Sequence, residues 1–101
     1  MKNIPLEVVE HYGILHQLKY LQSEIYELNE AIIECECYRK TAMPSSRIDE
    51  KNLRHIEEEF ADVSFMLKQI KEYYKLDDKR LNGWEEYKGN RQLRRIENEQ
   101  N

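Results

Sequence analysis

Two stretches of the chain repeat apolar residues at alternating steps of four and three. In the first, Ile14, Leu18, Leu21, Ile25, Leu28, Ile32 and Cys35 follow one another in this way. In the second, the same rhythm runs through Leu53, Ile56, Phe60, Val63, Leu67, Ile70 and Tyr74. Each is the spacing of one narrow helical seam, which predicts helices near 14–40 and 47–75. Residues 41–46 interrupt the rhythm: Pro44 forbids helix continuation, and Ser45 or Ser46 can cap the helix that follows. Arg39 and Lys40 stand where positive charge favours a helix C-terminus. A shorter helix over 5–12 is expected before the first seam, with Gly13 marking a bend. Asp77 or Asp78 can cap a third segment running to about Glu97, weakened by Asn82-Gly83 and Gly89-Asn90. The expected fold is an all-α antiparallel bundle over 1–101, one domain, in which two long helices carry shorter N- and C-terminal helices. Two thin seams leave each helix half covered, so oligomerisation is expected to complete it.

Composition narrows the possibilities further. The chain has 101 residues, 36% of them charged and 40% hydrophobic, with a mean hydropathy of −0.93. No run approaches the ~18–20 apolar residues of a membrane span. Three Gly and two Pro supply too few turns for a sandwich or barrel. Met1-Lys2-Asn3 is not followed by an apolar stretch and a small-residue cleavage site, so a cytoplasmic location is expected. Cys35 and Cys37, two apart on one helix, point away from each other and cannot form an ordinary disulfide; they read as reduced, incidental thiols.

Net charge is −4, unevenly spread. Lys88, Arg91, Arg94 and Arg95 make a strip of four positive charges without an acid, which leaves −8 on the remainder. An acidic body with one basic strip does not suit nucleic acid, which wants a broad basic face. It suits a small polyanion, provided cations bridge the acidic part to it.

The acids that could hold such cations lie beside the seams. With Ile25 and Phe60 at heptad position a, Glu24 and Glu59 both take g, and Glu27 and Asp62 both take c. A Glu-x-x-Glu alone is ordinary on a solvated helix face. Its recurrence at the same offset on two helices joined by a short connection is much more specific. Folded antiparallel, the helices place g beside g, so Glu24 is expected to face Glu59, with Glu27 and Asp62 one turn along. Carboxylates ~4–6 Å apart near a surface repel by roughly 3–4 kcal/mol, which a divalent cation removes. Hard oxygen ligands suit Mg²⁺, with Mn²⁺ possible, and leave coordination positions for substrate phosphates. Gln17, Tyr20, Ala31, Ser64 and Met66 continue this flank with less charge than an ordinary outer face, as a ligand pocket requires.

The run Gln17-x-x-x-Leu21-x-x-Glu24-x-x-Glu27-Leu28-x-x-Ala31-Ile32, followed by Glu59-x-x-Asp62-Val63, resembles the MazG family of all-α nucleoside triphosphate pyrophosphohydrolases. The resemblance covers about residues 13–95 and is most specific at Glu59-Phe60-Ala61-Asp62-Val63. It implies that Glu24, Glu27, Glu59 and Asp62 bind Mg²⁺, which holds a triphosphate while water cleaves between the α and β phosphorus. The implied products are a nucleoside monophosphate and pyrophosphate. Lys88-x-x-Arg91 matches a phosphate-contacting motif late in the family's chains, and Arg95 shares its helical face. His16, Gln17, Tyr20 and Trp84 become the candidates for contact with the base. The general base is open among Glu27, Glu30 and Glu58, while His11 and His55, without a partner pattern, read as surface residues. A homodimer or a dimer-of-dimers tetramer is implied, with neighbouring subunits helping to wall the site. Two features depart from the family's pattern: Ser23 stands where a second Glu is common, and the stretch from Glu27 to Glu59 is longer than in compact members. The competing reading is a non-catalytic helical interaction module, or a nucleotide-binding pseudoenzyme. An interaction module explains the seams but not the matched carboxylates.

Overall fold

The computed structural model describes residues 2–42 and 50–100, with side chains left aside for residues 39–42. Pro44 and the Ser45/Ser46 cap therefore lie outside the described residues. Four helices account for nearly all of the rest: α1 (Ile4–Tyr12), α2 (Ile14–Ala42), α3 (Glu50–Tyr74) and α4 (Asp78–Gln100). No strand occurs among the described residues, and none of the helices is long and apolar enough to cross a membrane.

Local chemistry explains each boundary. Asn3 caps α1: its side-chain oxygen accepts from the Leu6 N–H at 3.2 Å, and Pro5 occupies the first turn, where a missing N–H costs nothing. The same Asn3 donates to Glu72 at 3.0 Å, tying the start of α1 to the end of α3. Gly13 makes the corner into α2 by itself. Its φ of +91° lies where L side chains are strained, and its N–H still closes on Val9 O at 2.8 Å. At the end of α3, Lys75 takes a left-handed φ of 52°. Lys75 N then donates to Glu72 O and Leu76 N to Lys71 O, the double bond of a Schellman cap. Of the two expected caps for α4, Asp77 is the one used, accepting from Arg80 N at 2.9 Å. Asp78 instead pairs with Lys71 across the corner.

α2 and α3 form an antiparallel hairpin, and α1 packs chiefly against α3. The packed stripe differs from the expected one. On α2 the residues turned inward are Ile14, Gln17, Leu21, Glu24, Leu28, Ala31 and Cys35. On α3 they include Asn52, Ile56, Glu59, Val63, Met66 and Ile70. These are heptad positions d and g, joined on α3 by Gln69 at c, where the apolar pattern predicts a and d. Docking of α1 on one side draws the buried stripe toward that side, and the a positions pay the difference. Leu18, Ile25 and Ile32 on α2, and Leu53, Phe60, Leu67 and Tyr74 on α3, are exposed at seven-residue intervals, Phe60 at 62% and Leu67 at 52%. By helical geometry both sets fall on the same side of the hairpin, opposite position c. The buried apolar core of the described residues is correspondingly small: Val9, Ala31, Cys35 and Met66.

α4 stands apart from the three-helix unit. It buries no residue, and past its first turn it does not pack on α1–α3 among the described residues. Its candidate apolar face, started by Leu81 and Trp84, is interrupted at Lys88 and Arg91. The radius of gyration is accordingly 17.7 Å, against about 13 Å for a compact chain of this length.

Candidate metal centre

Glu24, Glu27, Glu59 and Asp62 come together, each offering a carboxylate oxygen, with all four oxygens within 4.8 Å of one another. α2 supplies two and α3 the other two, at i and i+3 on each helix. The register that does this is fixed by three contacts whose residue numbers all add to 86. Gln17 meets Gln69, the Glu24 carboxyl meets that of Asp62, and Glu27 meets Glu59. The expectation that Glu24 faces Glu59 is thereby corrected. Antiparallel order reverses one motif against the other, so the first acid of each helix meets the second acid of its neighbour.

Burial sharpens the electrostatics. Glu24 sits on the packed seam at 8% exposure, and the side chain of Glu59 is 14% exposed. The Oε2 atoms of both are buried without a hydrogen-bond partner, an arrangement that ordinary packing avoids. Loss of solvent raises the Glu24 carboxyl above its usual range, and the charges of Glu27, Asp62 and Glu59 add to the rise. Glu59 is raised for the same first reason, then by Glu27 and Asp62; His55 opposes the rise. His55, expected to be a plain surface residue, lies one turn before Glu59 and reaches its carboxylate at 3.6 Å. The i,i+4 spacing was the available signal for that contact. Four carboxylate oxygens so close together, on acids two of which also bury an unpartnered oxygen, could hold a metal cation. Of the candidate general bases, Glu27 belongs to the cluster, whereas Glu30 and Glu58 are exposed and outside it.

A cavity of about 410 Å³ opens beside the cluster where all three packed helices meet. Glu24 and Asp62 form its acidic end. His16, Gln17 and Tyr20, three of the candidate base contacts, line it. Tyr12, Phe65, Met66 and Gln69 join them. Met66 belongs to the low-charge flank that the pattern marked; Tyr12, Phe65 and Gln69 it did not mark, and Tyr12 reaches the cavity only because Gly13 folds α1 back. Tyr12 and His16 stack at 5.4 Å between ring centroids.

The candidate residues on α4 are not brought to this place within the chain. Trp84 is exposed, meets Tyr87 edge-on at 6.3 Å, and does not line the cavity. Lys88 and Arg95 are exposed; Arg91 is half-buried, lies over the Tyr87 ring at 5.8 Å and leaves its Nε unpartnered. The reason is the α3–α4 corner, whose Lys75 turn and Asp77 cap lead α4 away from the hairpin. Comparison of the chain with protein-family models, with curated proteins and with solved structures finds no match in any of the three.

Proposed function

We propose that the protein is a Mg²⁺-dependent nucleoside triphosphate pyrophosphohydrolase, releasing a nucleoside monophosphate and pyrophosphate. The observation that carries this reading is the buried, unpartnered oxygen of Glu24, inside a four-carboxylate cluster that opens onto a cavity. Such a group is costly unless something positive completes it. Glu24, Glu27, Glu59 and Asp62 would hold the cation. When bound, Mg²⁺ polarises a phosphoryl oxygen and lowers the pKa of a coordinated water. The chain's own part is positioning: two rigid helices fix the four acids, and the aromatic cavity holds the rest of the substrate away from bulk water.

The cations of α4 complete this reading only in an assembly. The exposed stripes at Leu18, Ile25 and Ile32 and at Leu53, Phe60 and Leu67 form an apolar face of the kind that a second copy covers. In a homodimer or a dimer of dimers, Lys88, Arg91 and Arg95 of one copy would reach the phosphates held by another. The same face supports the second reading, a helical interaction module without catalysis.

Pyrophosphate release from a panel of standard and modified nucleoside triphosphates, with Mg²⁺ or with chelator, separates the two. Metal-dependent release that disappears in Glu59→Ala supports the hydrolase. Absence of turnover, together with absence of any stabilisation by Mg²⁺, rejects it in favour of the module.

A further inference from the structure

Gln17 and Gln69 repeat, as amides, the placement of an acid pair. Gln17 precedes Glu24 by seven residues, and Gln69 follows Asp62 by seven. Each pair joins heptad position g of α2 to position c of α3, and two helical turns separate them, about 10 Å of rise. The two pairs are therefore equivalent places along one hairpin. Any slide or rotation of α3 against α2 that parts the amides also parts the acids.

The amides are held in one arrangement. Gln69 is 1% exposed and Gln17 6%. Gln17 Nε2 donates to Gln69 Oε1 at 2.8 Å, across from α2 to α3. Gln69 Nε2 donates to Met66 Sδ at 3.4 Å, one turn back on its own helix. At the other end, His16 Nδ1 lies 2.8 Å from Gln17 Oε1. Each amide is thus braced within its own helix, and the bond between them ties the two helices together. For stability alone this is a poor choice, because a pair of apolar side chains of similar shape would bury there at least as favourably.

What the amides add is direction. A displacement of about 1 Å breaks a hydrogen bond but leaves apolar neighbours in contact. Leu21, Leu28, Ile56 and Val63, which share the packed stripe, are apolar and half-buried, so they favour packing without fixing the register so finely. The acids oppose the register they need. Their four oxygens lie within 4.8 Å of one another, and like charges that close drive the helices apart when no cation is present. A directional bond at the adjoining equivalent place resists that drift. We propose, resting on the metal-binding part of the hydrolase reading, that Gln17 and Gln69 are a positioning pair for the metal centre. They hold α2 and α3 in the register that presents Glu24, Glu27, Glu59 and Asp62 to one cation, at some cost to stability. The pair acts through the acids and ligates no cation itself.

The test replaces both amides with methionine, which is unbranched, of similar length and adaptable in a core, but cannot form the bond between helices. Wild type and Gln17→Met/Gln69→Met are compared by thermal melts in chelator and by calorimetric titration with Mg²⁺. The double variant is expected to melt at or above wild type, because two buried polar groups are gone and the empty acids are free to part. Its Kd for Mg²⁺ should rise about tenfold, the scale of coupling between a site and residues that do not touch its ligand. Gln69→Met alone should weaken Mg²⁺ binding comparably while lowering Tm, since Gln17 is then buried without its acceptor. Affinity thus falls in both variants while stability moves in opposite directions, a split that general loosening of the fold does not produce. Mg²⁺ binding by the double variant within about twofold of wild type overturns the inference and leaves the hydrolase reading standing. A double variant that melts well below wild type, or does not fold, also overturns it, because the amides are then a stability element. If wild type binds no Mg²⁺, the inference and the metal-dependent reading are rejected together.

Discussion

Glu24 and Asp62 stand opposite each other across the α2–α3 hairpin, with a carboxylate oxygen of each within 4.8 Å of the other's, and one oxygen of Glu24 is buried with nothing to bond. Two acids that could have pointed to water on separate helices are instead held against each other. The contact is favourable only when a proton or a cation lies between them. That single relationship sets opposite expectations for the empty and the loaded protein.

Glu24→Gln should therefore stabilise the metal-free chain while abolishing its response to metal. Removing one of four like charges relieves repulsion of about 1 kcal/mol after solvent screening. This corresponds to roughly 4–8 °C in Tm for a domain of this size. Thermal melts in chelator and in Mg²⁺ would show the variant melting above wild type in the first and gaining nothing in the second.

The raised carboxyls also set the sign of the pH dependence. Glu24 and Glu59 hold protons more tightly in the folded chain than at their ordinary value of 4.5. Between that value and the raised one, the folded state binds more protons than the unfolded state. Their contribution is thus fully present below pH 4.5 and fades as pH climbs through the raised values. In chelator, this part of stability should fall with rising pH, and Glu24→Gln should flatten the profile. With saturating Mg²⁺ the trend should invert, because the cation needs the ionised acids. Tm measured against pH in the two buffers decides the point.

Backbone geometry gives a pair of substitutions with opposite effects. Gly13 is left-handed, and nothing stands within 4 Å of an added Cβ, so Gly13→Ala meets conformational strain alone. A loss of about 1–2 kcal/mol is expected from urea denaturation. Lys75 occupies the left-handed cap position that glycine prefers. Lys75→Gly should gain up to about 1 kcal/mol by the same assay.

On the opposite side of the hairpin, Phe60→Glu places a charge in the centre of the exposed apolar stripes. If a second copy covers that face, light scattering should show the variant shifted to monomer while its helical circular dichroism is kept. An unchanged mass would assign the stripes to something other than self-association.

Much of this was legible in the spacing of residues. Heptad rhythm located α2 and α3, Gly13 and Asp77 marked corners, and the matched offsets of Glu24, Glu27, Glu59 and Asp62 brought the cluster together. Rotation about each helix axis was not legible, because it depends on a third element. α1 turns the packed stripe from a/d to d/g, which leaves Ile25 and Phe60 outside and draws Glu24 in. The cross-pairing of the acids was also missed, since g-to-g reasoning gives the side of a helix but not the order along an antiparallel partner. Trp84 and the basic strip were drawn to the site by motif alone. Their spacing says which residues share a face of α4 and nothing about where the Lys75 corner sends it.

That corner has a consequence for how the chain comes apart. α4 has 23 residues, two of them internal glycines, and no buried side chain. An isolated helix of that composition is marginal in water. Its amide hydrogens should exchange with solvent on their own schedule, with far less protection than those of α2 and α3 at the acid and amide pairs. The lone chain is then two cooperative units rather than one. Slowing of exchange in α4 would report, residue by residue, the moment at which something outside the hairpin takes hold of it.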